Sequence, residues 1–174
     1  MLGKIFNKKL LKETFTPGRL RRILWYGVYM LVVLIVQDMV LTQIRPLGVC
    51  AFIPPAAVAA VGMFEGAVPG VVFGLLMGIL TDMFTPGTVV TYTLLFPLIA
   101  FAVGFVSQFF INRRFPGYMV CAGAALLFTA LVQALITVVE GSWTLTAVFT
   151  ALLQTLWSLP LAAPLYFPPA KWIE

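Results

Sequence analysis

The chain has 174 residues, of which 61% are hydrophobic and only 10% charged, and its mean hydropathy is +1.04. Soluble domains carry about 25% charged residues, so a water-soluble fold is all but excluded, and the length leaves room for one compact membrane domain with no soluble one beside it. The net charge of +5 collects at the start, where Lys4, Lys8, Lys9, Lys12, Arg19, Arg21 and Arg22 stand against Glu13 alone.

Residues 1–22 therefore read as a basic cytoplasmic tail that meets anionic lipid rather than nucleic acid. The first apolar run, 23–44, is longer than a signal core of about 7–15 residues and has no small-residue cleavage site after it, so it stays as an anchor. A membrane-crossing helix needs roughly 20 apolar residues, which predicts six spans at 23–44, 49–64, 67–85, 88–111, 117–139 and 144–167. The expected fold is all-α: six transmembrane helices in one compact bundle over 23–170, with 171–174 as a cytoplasmic C-terminus. The second span is short and carries Pro54-Pro55 near its start, so 49–85 also reads as one broken element, giving five spans. Charge favours six. That count puts the tail, Arg113, Arg114 and Lys171 on one side and leaves Arg45 and Glu140 on the other, as the positive-inside rule requires. Pro97 is expected to kink the fourth span, and Pro160 and Pro164 the sixth. Trp25, Tyr26 and Tyr29 read as interfacial anchors of the first.

Glycines recur at four-residue spacing: Gly62, Gly66, Gly70, Gly74 and Gly78, with Asp82 on the next rung. Four residues advance a helix by about 400°, so the ladder is a ridge that drifts roughly 40° per rung. Missing side chains let helix backbones approach closely in a membrane. Two readings follow for Gly70, Gly74 and Gly78, packing within the chain or a close contact with another membrane protein. Gly62 and Gly66 are expected to serve the turn.

Carboxylates inside a bilayer cost about 2.5–3.5 kcal/mol at mid-span, which makes Asp38 and Asp82 candidates for a polar site. Asp38 is expected to face protein or water, with Arg45 as its natural partner, and Asp82 is either a polar plug or a docking post. Glu140 lies at a boundary, where a carboxylate is ordinary, and Gln37 and Gln133 supply amides. The chain has no histidine, which removes the commonest general base and metal ligand. Cys50 and Cys121 stand alone, without a CxxC partner, at the starts of spans on opposite sides. Neither a metal motif, a phosphate loop nor a nucleophile motif appears, so no catalytic residue is assigned and no enzymatic activity is expected.

Gln37 late in the first span, then Gly70-x3-Gly74-x3-Gly78-x3-Asp82, a Gly87 turn and a long fourth span resemble the MreD family of bacterial rod shape-determining membrane proteins. The likeness covers roughly Gln37 to Gln133. Gln133 stands where a glutamate is expected, and Pro54-Pro55 and the basic tail fall outside it. The resemblance implies a non-enzymatic scaffold of the elongation machinery in the plasma membrane, without a cofactor. Its implied partners are an MreC-like bitopic protein, a RodA-like glycosyltransferase, a class B penicillin-binding protein and cytoskeletal MreB. The alternative is a substrate-binding S-component of an energy-coupling-factor vitamin transporter, which has similar size and helix number. S-components usually place small residues at four-spacing in the first span, where this chain has Gly27, Leu31 and Ile35.

Overall fold

The computed structural model describes residues 17–43, 49–85, 90–109, 114–139 and 145–166, apart from the side chains of 17–20 and 145–148. It is all-helical over these residues. Helix α1 spans Pro17–Ile35 and continues as a wider π turn over Val36–Leu41. Helices α2 (Pro54–Glu65), α3 (Ala67–Phe84), α4 (Thr91–Phe109) and α5 (Phe115–Val139) follow, and α6 (Leu145–Ala162) ends in a tighter turn at Ala163–Tyr166.

Side-chain contacts show that successive helices alternate in direction. Arg22, Glu65, Phe115 and Tyr166 meet at one end, through the Arg22–Glu65 ion pair and the Phe115–Tyr166 ring contact. Phe52, Asp82 and Tyr92 meet near the other, through the Phe52–Tyr92 ring contact and the hydrogen bond from the Tyr92 N–H to Asp82. Four stretches among the described residues are long and apolar enough to cross a membrane: Arg21–Leu41, Ala67–Phe84, Thr91–Phe109 and Phe115–Val139.

The second predicted span differs from the expectation over 49–64. Its helix has only 12 residues, about 18 Å of rise against a hydrocarbon core of about 30 Å. The reason is Pro54-Pro55, which occupies the first helical positions and leaves 49–53 outside regular structure. This short helix is the centre of the molecule. Every residue from Pro54 to Met63 is buried, with α3, α4 and α5 packed around it. Ala56, Ala57, Ala59 and Ala60 put small side chains on about half of its circumference and Val58 and Val61 fill the rest, an all-round apolar surface as a buried helix has.

Non-helical backbone at membrane depth is tolerated only where protein satisfies its polar groups. The prolines bring no N–H to the start of α2, and the Ala56 and Ala57 N–H groups both donate to the Ile53 carbonyl, at 3.0 and 3.3 Å. The Phe52 N–H donates to Ser158 Oγ at 2.9 Å and the Ile53 N–H to Gln37 Oε1 at 3.0 Å. These bonds give the Phe52 and Ile53 N–H groups at the entry to α2 partners within the chain.

Candidate functional site

The glycine ladder is spent inside the chain. A Cβ built on Gly74 would lie 2.8 Å from the Phe96 carbonyl oxygen, and one on Gly78 2.5 Å from that of Tyr92. One on Gly70 would lie 2.7 Å from Gly62 Cα, and one on Gly62 2.7 Å from the Ala100 oxygen. Helix α4 replies with Gly104, whose added Cβ would meet Ala67 Cα at 2.7 Å. The glycines thus bring α2, α3 and α4 to backbone contact. Gly70, Gly74 and Gly78 are all buried, so the face proposed from sequence as a seat for another protein is covered by α4. Gly62 is corrected too: it lies inside α2 as a packing rung, and Gly66 alone makes the turn, at φ +98°, a conformation that glycine adopts without a Cβ penalty.

Asp82 closes the same seam at its far end. Its carboxylate accepts hydrogen bonds from the backbone N–H groups of Tyr92 (3.1 Å) and Thr93 (2.8 Å) and from the Thr93 hydroxyl (2.6 Å). These are first-turn donors of α4, which helix geometry leaves without partners. The residue before α4 is Val90, at φ 58°, with a side chain that cannot cap. Asp82 supplies the cap from the neighbouring helix instead, and its negative charge sits at the positive end of the α4 dipole. As a docking post, it has its oxygens already committed within the chain.

The other polar residues converge on the same end. Gln37 is buried in the π turn of α1, where its amide donates to the Ala51 carbonyl at 2.9 Å while its oxygen takes the Ile53 N–H. Gln133 donates to the Tyr92 hydroxyl, on the residue whose N–H binds Asp82. Asp38 is exposed on the π turn and, with Gln37, Phe52, Thr81 and Tyr92, lines a cleft of about 280 Å³. Arg45, its expected partner, and Glu140 and Gly87 lie outside the described residues. Among the described residues, no group of three metal-ligating side chains comes together.

Sequence reasoning missed the partners of these groups. Ser158 gave no signal in its own helix, because its role is to receive a backbone donor from 106 positions away. The Tyr118 hydroxyl donates to the Ala162 carbonyl at 2.9 Å, a partner 44 positions away. At the opposite end, Tyr26 donates to Glu65 at 2.6 Å, with Arg22 3.8 Å from the same carboxylate. Tyr26 is thus a tether as well as an aromatic at a span end, and Tyr29 is buried rather than interfacial. No protein-family model, curated protein or solved structure matches the chain.

Proposed function

We propose that the chain is a non-enzymatic scaffold subunit of the bacterial plasma membrane, of the MreD rod shape-determining kind, with six spans and both termini cytoplasmic. The observation that carries this reading is where the intramembrane polar groups point. Gln37, Asp82, Ser158 and Tyr118 all bond to the chain's own backbone, which rigidifies a platform rather than building a cage for a substrate. The topology is consistent in charge: Arg22 and Arg114 sit at one end, the side the positive-inside rule makes cytoplasmic. In the second span the 12 helical residues rise about 18 Å, so the reading requires the irregular 49–53 stretch to supply the remaining depth of about 12 Å of the roughly 30 Å core.

With the glycine ridge covered, partner helices must use lipid-facing surface. The aromatic column of α4, Phe101, Phe105 and Phe109, is exposed, with Phe101 stacked on Phe105 and Phe109 tilted against it, and we assign it to a bitopic MreC-like partner. Affinity purification of the tagged full chain from its native membrane tests this. Recovery of a bitopic coiled-coil protein, a RodA-like glycosyltransferase and a class B penicillin-binding protein is expected, and loss of the bitopic protein from Phe101→Ala/Phe105→Ala without loss of helicity. Recovery of transport ATPases instead would replace the scaffold with the S-component reading, which the 280 Å³ cleft under Asp38 favours.

A further inference from the structure

The first helix is held away from the bundle over half its length. Tyr26 and Tyr29 each reach Phe73 of α3, with ring centroids 6.2 and 6.1 Å apart, while a Cβ on Gly27 would meet nothing within 4 Å. Between α1 and α3 this leaves an apolar groove of about 480 Å³, with Val61 among its lining residues, Gly27 and Met30 from α1, and Val72 and Leu76 from α3. Arg22 and Glu65 stand at its mouth. We propose that this groove binds one acyl chain of an anionic phospholipid whose phosphodiester is held by Arg22, with the neighbouring Arg21 adding positive charge from outside the groove. The proposal is independent of the scaffold role, but its headgroup argument rests on the topology proposed above, which puts the Arg22 end at the cytoplasmic surface.

Length decides between a lipid and a partner helix. From Arg22 to Met30 is about 12 Å along α1, close to the depth of one leaflet, about half of the 30 Å core. The helix then closes onto the bundle at Val33 and Leu34, which are only 3% and 5% exposed. A membrane-crossing helix needs an open track through both leaflets, whereas an acyl chain needs one. Charge decides the headgroup. Arg22 is 53% exposed and 3.8 Å from Glu65, and Arg21 beside it is exposed. Among the described residues at the mouth, Glu65 alone opposes an anion, and it is engaged by the Tyr26 hydroxyl and Arg22. Basic pockets between helices at the cytoplasmic surface are the usual seats of anionic headgroups.

Native mass spectrometry of the full chain in mild detergent, with phosphatidylglycerol or phosphatidylcholine added, tests the site. The wild type is expected to keep one phosphatidylglycerol under activation that strips phosphatidylcholine. Arg21→Gln and Arg22→Gln should each weaken that adduct about fivefold. Gly27→Phe fills the groove from α1 and Leu76→Phe from α3, and each should abolish the adduct, while Leu98→Phe on the exposed face of α4 should leave it intact. Equal retention of the two lipids, no retained lipid, or an undiminished adduct in whichever groove variant keeps its helicity would overturn the assignment.

Discussion

Alanine at position 74 puts the close-packed seam to a direct test. The added methyl would stand 2.8 Å from the Phe96 oxygen, 2.9 Å from its carbonyl carbon and 3.1 Å from the Pro97 nitrogen. All three are backbone atoms, so no rotamer change relieves the clash, and α3 and α4 must part by about 0.6 Å to restore ordinary contact. A gap of 0.5–1 Å already forfeits a quarter to a half of each dispersion contact. The cost spreads along the seam, because Gly70, Gly78 and Gly104 make their approaches in the same packed unit. Overpacking of this kind costs about 1–3 kcal/mol, and the better helix propensity of alanine returns at most about 1 kcal/mol. A net loss of about 1–2 kcal/mol is expected. Gly27→Ala is the matched control: it makes the same change on a transmembrane helix, has nothing within 4 Å, and should gain about 0.5–1 kcal/mol from propensity alone. Reversible unfolding in mixed micelles, followed by helicity, measures both. If Gly74→Ala proves as stable as Gly27→Ala, α3 and α4 do not meet at backbone distance and the account of the ladder fails.

Three further substitutions probe the polar groups in the same assay. Asp82→Ala removes the cap of α4 and should cost about 1.5–3 kcal/mol, the range for hydrogen bonds to a charged acceptor, with Asp82→Asn recovering part of it. Gln37→Leu leaves the Ala51 carbonyl and the Ile53 N–H buried without their partners and should cost about 1–3 kcal/mol for each orphaned group; a loss below 0.5 kcal/mol would show, by the same measure, that water or another group reaches the entry of α2. Tyr29→Phe runs the other way. The Tyr29 hydroxyl is buried with no hydrogen-bond partner among the described residues, so removing it should leave stability unchanged or raise it, and a clear loss would reveal a hidden acceptor.

Much of the architecture was legible from hydropathy because span length is a one-dimensional property. Four of the six predicted spans hold a stretch long and apolar enough to cross a membrane, and 144–167 holds the 18-residue helix α6. The exception, 49–64, failed for a physical reason. Pro54-Pro55 announced a helix start rather than a weak point inside a span, since proline in the first turn lacks only an N–H that would be unpaired anyway. Gly62 was misassigned because a ladder read along one helix cannot show which neighbouring backbone it meets. The roles of Gln37, Ser158 and Tyr118 were illegible for a related reason: each serves a backbone group far away in sequence. An intramembrane polar residue marks an expensive group but does not say whether a ligand or the chain's own irregular backbone offsets the expense.

Much of the distribution of small and polar residues therefore traces to the buried helix α2, while Gly74, Gly78 and Asp82 serve the seam between α3 and α4. A helix of 12 residues enclosed by three others demands small side chains around it, hence the alanines, and permits close approach where α2, α3 and α4 meet, hence Gly62, Gly70 and Gly104. Its shortness leaves backbone at 49–53 to be satisfied by Gln37 from α1 and Ser158 from α6. The conspicuous motifs thus specify the inside of the bundle and have little surface left to offer a partner. What remains for recognition lies on α1, which packs loosely over its first half, and on the exposed faces of α3, α4, α5 and α6. If that division holds, substitutions along the ladder will lower partner recovery only in proportion to lost stability. Substitutions at Phe101 and Phe105 will lower recovery while stability stays constant.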